Sequence, residues 1–139
     1  MKYFFQYVLS RALSLLPYKG CKIFDKFITK LNTLWLASNF KSIGNDVSIG
    51  RNVILDGAQY ISIGNNVSIG RRVTLTAWDE FGIDNFSPMI VIEDNVSIGD
   101  DCHITAINKI TFKTGTLLGK KITVTDNSHG FPGVDFFEG

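Results

Sequence analysis

From Ile43 onward an aliphatic or aromatic residue returns at every sixth place: positions 43, 49 and 55, then 63, 69 and 75, then 92, 98 and 104, then 112, 118 and 124. The triplets are offset by 20, 29 and 20 residues, so the unit is 20 residues long and its second copy carries nine more. A further apolar residue stands four places after many leads (Val47, Val53, Val67, Val73, Val96, Ile122), and Gly directly follows the lead in six of the twelve hexapeptides. A helical period fails on this pattern, whereas short strands joined by tight corners satisfy it. The lead residues then point inward and stack on those of neighbouring coils, with Gly and the Asn/Asp pairs supplying positive-φ corners. The expected fold is mainly β, a solenoid of about four hexapeptide coils. The third hexapeptide of each coil breaks the rule, with Gln59, Asn108 or Ser128 in the inward place and Ile61, Ile90 and Ile110 set two before the next lead. One corner is therefore longer and more polar. It also carries the nine-residue expansion, within a loop spanning 76–89 (TAWDEFGIDNFSPM), which either lines a binding site or packs Trp78 and Phe81 against a neighbouring subunit.

Ahead of the array, 3–16 and 22–38 read as two short helices separated by Pro17 and Gly20. In the second, Phe24, Phe27, Ile28, Leu31, Leu34 and Trp35 form one apolar stripe, and Lys22, Lys26 and Lys30 form a basic one. Two readings fit: the apolar stripe caps the end of the following domain with the lysines in solvent, or the helix lies on an anionic membrane surface. The chain thus divides into an amphipathic helical segment at 1–42, a repeat domain at 43–130 and a non-repeat tail at 131–139.

Charge sharpens that division. Residues 1–42 hold seven basic side chains against Asp25 alone, a net +6, while 43–139 hold seven basic against twelve acidic, a net −5. The total of +1 argues against a dedicated nucleic-acid binder, and 11 Phe with 19% charged residues argue against disorder. Cys21 and Cys102 stand alone, without metal-site or disulfide spacing, which makes a reducing, cytoplasmic setting the default. The short Met1-Lys2 start and the interruption at Arg11 argue against a signal peptide. No run is long and apolar enough to span a bilayer.

The IGxxVxIG array, the expanded loop and the segment LLGKKITVTDNSHG resemble the hexapeptide-repeat acyltransferase superfamily, and most closely its sugar O-acetyltransferases of the galactoside and maltose type with their capsule and lipopolysaccharide relatives. The resemblance covers 43 to about 130. It implies a left-handed parallel β-helix, a homotrimer, and an acyl-CoA-dependent O-acyltransferase that uses acetyl-CoA and a sugar or surface-polysaccharide precursor hydroxyl, with no metal. It places the catalytic His on His129. An Asn of the galactoside enzymes falls on Asp101, a departure from the family pattern. Trp78 of the expanded loop, Lys109 below His129 at the same corner, and Asp126, suited to orienting the imidazole, complete the candidate acceptor-binding set. No cofactor-binding residue is assigned.

The chemistry implied is direct transfer. A neutral imidazole in hydrogen-bond reach removes the hydroxyl proton as the oxygen attacks the thioester carbonyl. Cys102 occupies an inward place and reads as buried, and His103, stacked between Thr74 and Thr123, is expected to face outward. A zinc carbonic anhydrase of similar architecture would need three imidazoles, and the chain has two His. Family enzymes also continue past the His segment with further coils, including a Trp-Ile-Gly hexapeptide, whereas here the repeat stops at Val124 and HGFPGVDFFEG follows. This suggests a C-terminally truncated member, and leaves a catalytically inactive fragment with a structural or interaction role as the alternative.

Overall fold

The computed structural model describes residues 2–15 and 18–127, so His129, Ser128 and the tail lie outside the described residues. The chain is mainly β, with parallel sheets preceded by two helices, α1 (Lys2–Ser14) and α2 (Tyr18–Leu36). A first circuit of chain contributes β1 (Ser42–Ile43), β2 (Ser48–Ile49) and β3 (Ile54–Asp56), and a second contributes β4 (Ile61–Ile63), β5 (Ser68–Ile69) and β6 (Thr74–Ala77). After a hairpin of β7 (Glu80–Phe81) and β8 (Asp84–Asn85) come β9 (Met89–Ile92), β10 (Ser97–Ile98) and β11 (His103–Ala106), then β12 (Lys109–Phe112), β13 (Leu117–Leu118) and β14 (Thr123–Thr125). Every circuit passes once through each of three parallel sheets, ordered β1-β4-β9-β12, β2-β5-β10-β13 and β3-β6-β11-β14. The 20, 29, 20 offsets reappear as register: Ser42 pairs with Ser62, Ile61 with Ile90, and Ile90 with Ile110. Such a path is compatible with a β-helix.

Lead residues form the core. Ile49, Leu75 and Ile104 are fully buried, as are Ile61 and Ile90 of the displaced third hexapeptides. Each contributes roughly 1.5–3 kcal/mol by leaving water. Cys102 lies in the same layer, its thiol donating to the Gly119 carbonyl at 3.1 Å.

The corners divide their labour differently from the sequence expectation. Left-handed backbone falls on the second polar residue, at Asp46, Asn52, Asn66, Arg72, Asn95, Asp101 and Lys121, while the Gly after each lead has no positive φ. Turning to positive φ aims an N–H along the stack: Asn66 donates to the Asn45 carbonyl at 2.8 Å, Asn95 to Asn65 at 2.9 Å and Asp101 to Arg71 at 2.9 Å. The Gly is required for close approach, since a Cβ on Gly64 would stand 2.4 Å from the Asp94 carboxylate and one on Gly70 2.5 Å from that of Asp100. Those same carboxylates accept the N–H groups of Asn65 (2.7 Å) and Arg71 (2.8 Å) from the circuit before.

Two further expectations need correction. The second helix begins at Tyr18, so Gly20 lies inside it and only the neighbourhood of Pro17 separates the helices. The apolar stripe of α2 does not face the β domain: Phe27, Leu34 and Trp35 are 58%, 64% and 76% exposed. The helix rests instead mainly on polar groups, with Leu36 at its end packed against the core. Strand β2 is a sheet edge whose Ser48 and Gly50 N–H groups pair with the second circuit, which leaves the Ile49 N–H and carbonyl pointing away. The Thr33 hydroxyl accepts that N–H at 2.9 Å, and the Asn32 amide donates to the carbonyls of Ile49 (3.2 Å) and Gly50 (3.0 Å). Asp25 bridges to Arg51 and, at 2.6 Å, to Arg71. An edge with unpaired backbone demands polar partners, and this demand outweighs the pull of the apolar stripe.

Candidate functional site

The third sheet presents a grid of side chains on its outer face. Because Leu75, Ile104 and Val124 point inward, their neighbours on both sides point outward. Register aligns His103 with Thr74 and Thr123, and Thr105 with Thr76 and Thr125. After β6 the ladder continues for one more bond, from the Trp78 N–H to the Ala106 carbonyl at 3.0 Å, and the chain then leaves into the hairpin. The loop expected over 76–89 is therefore shorter, since residues 76 and 77 belong to β6 and Met89 to β9, and it contains the β7–β8 pair.

Trp78 stacks on Phe81, with centroids 5.9 Å apart and planes 4° from parallel. The hairpin base is fastened by Tyr60, whose hydroxyl donates to Asp79 at 2.7 Å. That bond, with burial and the Asp79 charge, raises the phenol above its ordinary value and keeps it a donor. Between the indole and the end of β14 lies a groove of about 220 Å³, lined by Trp78, His103, Thr105, Thr123, Thr125 and Asn127.

A hydrogen-bonded chain runs along its floor. The hydroxyls of Thr76 and Thr105 are 2.7 Å apart, and that of Thr105 is 2.9 Å from Nε2 of His103. Thr76 and Thr105 are buried, whereas His103 is exposed. Among the described residues Nδ1 of His103 makes no hydrogen bond. The imidazole is thus held at one nitrogen by a buried hydroxyl pair. Thr125 and Asn127 bond to each other at the groove end, their side chains touching and the Asn127 N–H donating back to the threonine hydroxyl at 3.3 Å.

The candidates distribute unevenly around this groove. Trp78 forms one wall, and Asp126 sits between two lining residues, with its carboxylate accepting the N–H groups of Ile107 (2.8 Å) and Asn108 (2.9 Å). Asp101 stands at the corner before β11, in a two-point pair with Arg72 at 2.7 and 3.1 Å. The Arg72 hydrogen bond holds its carboxyl below the ordinary value, helped by the charges of Arg72, Lys121 and Lys120 against some desolvation. Lys109 opens β12 on the first sheet, exposed and opposite Met89, and is not part of the groove lining. His129 follows Asn127 by two residues in sequence and lies outside the described residues. His103 lines the groove as well, in the outward place expected of it. Its place between Thr74 and Thr123 was readable, but not the indole folded beside it.

A larger cleft of about 490 Å³ lies where α2 rests on the first circuit, lined by Asp25, Lys26, Thr29, Lys30, Asp46, Val47 and Ser48. It holds no imidazole or thiol, so size here does not mark chemistry. Among the described residues no group of three His, Cys, Asp or Glu is placed to hold a metal ion, and no helix is long and apolar enough to cross a membrane.

Comparison with known proteins adds a class and little more. No family model matches the chain, and no solved structure matches it significantly. Over 42 residues it is 38% identical to an Escherichia coli (strain K12) protein carrying the provisional name lipopolysaccharide biosynthesis O-acetyl transferase WbbJ. The matched stretch is 30% of this chain and 21% of that protein, so the chain spans about one fifth of the relative's length. Similarity of this extent supports an acetyltransferase family and nothing finer.

Proposed function

We propose that the chain is an acyl-CoA-dependent O-acyltransferase, of the O-acetyltransferase type, acting on a hydroxyl of a sugar or surface-polysaccharide precursor. The observation that carries this reading is the groove on the third sheet, where an indole, an imidazole, three threonine hydroxyls and an amide converge two residues before His129. An aromatic face opposite a row of hydrogen-bonding groups suits a sugar ring, which has apolar C–H faces and a polar rim. The finer architecture belongs to the same proposal: the three-sheet path is a left-handed parallel β-helix, and three copies assemble so that His129 stands at a subunit boundary.

In this mechanism neutral His129 accepts the acceptor hydroxyl proton while the oxygen attacks the thioester carbonyl of acetyl-CoA, a co-substrate. The tetrahedral intermediate collapses by breaking the C–S bond. The imidazolium returns the proton to the departing sulfur, so the products are the acetyl ester and free CoA. Trp78 and His103 orient the acceptor, and Asp126 acts by holding the Ile107–Asn108 corner against the segment that leads to His129. Asp101 and Lys109 serve the acceptor only across a subunit boundary, since both lie off the groove within one chain.

Release of free thiol from acetyl-CoA, followed over a panel of sugar acceptors, tests the proposal. Acceptor-dependent release that falls by a factor of about 10²–10⁴ in His129→Ala supports it. A rise in acceptor KM in Trp78→Ala and His103→Ala, larger than the loss in kcat, supports the groove as the acceptor site. No release above acceptor-free hydrolysis with any sugar overturns catalysis by this chain and leaves a structural or interaction role.

A further inference from the structure

Helix α2 is built the wrong way round for a core helix. At 3.6 residues per turn, Asp25, Thr29, Asn32, Thr33 and Leu36 share an arc of about 100°, and Ile23, Phe24, Phe27, Leu31, Leu34 and Trp35 share one of about 120° centred opposite it. The polar arc is locked to the first circuit by Thr33, Asn32 and Asp25. The apolar arc consequently faces away, each of its six residues between 47% and 76% exposed. One flank between the two arcs carries Lys26 and Lys30, and Lys22 stands at the adjoining edge of the polar arc. Helix α1 adds Tyr3, Phe4, Phe5, Val8, Leu9 and Leu13, all exposed. Soluble monomers rarely expose an apolar surface of this extent without an occupant.

We infer that the outer face of α2 is a docking surface for an anionic lipid bilayer, with the helix lying in the interface plane and the β domain held on its water-facing polar side. Charge selects this occupant over a second copy of the chain. The segment 1–42 carries seven basic groups, and its single acid, Asp25, is already engaged by Arg51 and Arg71. An antiparallel two-fold contact between α2 faces would bring two lysine rows side by side, and like charges at an interface oppose association. An anionic headgroup layer neutralises the same row while the aromatic and aliphatic side chains enter the acyl boundary. The inference rests on the helix alone and stands whether or not the groove catalyses acyl transfer.

The test uses the full chain with vesicles of phosphatidylcholine, alone or mixed with phosphatidylglycerol. Co-sedimentation should occur with the anionic vesicles, weaken as salt rises, and fall about tenfold or more in Lys26→Glu/Lys30→Glu. Phe27→Glu/Leu31→Glu should release the protein while leaving its thermal unfolding unchanged, because neither side chain touches the β domain's core. In a Trp78→Phe background, Trp35 emission should shift to the blue on vesicle addition and be quenched by brominated acyl chains. Three results overturn the inference: no sedimentation with anionic vesicles, Trp35 emission unchanged by them, or a lipid-free oligomer that Phe27→Glu/Leu31→Glu dissociates. The last would assign the face to another copy of this chain.

Discussion

The β circuits and helix α2 use amphipathicity in opposite senses. In the circuits, inward leads such as Ile104 meet other leads, and polar side chains hold the corners. In α2 the polar side chains face the protein, and the aromatic ones face away from it. The contrast shows that burial follows what the opposing surface offers. A stack of aliphatic side chains invites more of the same, whereas the β2 edge offers an N–H and two carbonyls, which Thr33 and Asn32 can satisfy and phenylalanine cannot.

The largest test of that contrast compares truncations on the two surfaces. Ile104→Ala should cost about 2–5 kcal/mol in urea unfolding, and Phe27→Ala should stay within about 0.5 kcal/mol. Equal losses would mean that the outer helix face is covered in the free protein. Next in size, Thr33→Val keeps the shape but leaves the buried Ile49 N–H without an acceptor, at an expected cost of about 1–3 kcal/mol. A neutral result would show that water takes the place of the hydroxyl. Asp126→Asn leaves one oxygen for the two backbone N–H groups and sets an NH2 against the other, at an expected cost of about 1–3 kcal/mol. If acyl transfer then falls far more than stability, Asp126 reaches the reacting groups as well as its corner.

The smallest effect concerns pH. The Thr114 backbone N–H, then its hydroxyl and Lys113, hold Glu93 below its ordinary value, and Arg72 does the same for Asp101. A folded value below the unfolded one means that the unfolded chain binds more protons in between. These corner carboxylates therefore stabilise the fold fully above the ordinary carboxylate range, and the contribution is lost as pH falls through their depressed folded values. Acid unfolding curves should show a shallower pH slope in Glu93→Gln than in the parent chain. A slope equal to the parent's removes the Glu93 corner from the account.

Parts of this arrangement are legible in the sequence. The lead residues at 49, 75 and 104 are buried, and the 20, 29, 20 spacing is the strand register, because parallel pairing makes register a matter of counting. The outward place of His103 followed from the same count. The role of Gly did not: a Gly directly after six of the twelve leads reads equally as a left-handed corner or as room for a neighbour, and only the closeness of the Asp94 and Asp100 carboxylates decides for room. The hairpin in the expansion was likewise hidden, since Glu80, Phe81, Asp84 and Asn85 show no alternation strong enough to announce two strands.

By itself the sequence determined the three-sheet path and its core, because a six-residue period repeats one local rule and every neighbour obeys it. It also determined that two amphipathic helices precede this path. Tertiary structure alone decided which way α2 faces and that Trp78, His103 and the segment before His129 share one groove. Both depend on what lies opposite a residue across 16 to 49 positions of chain, from Ile49 and Thr33 to Asn127 and Trp78, and no local period carries that information.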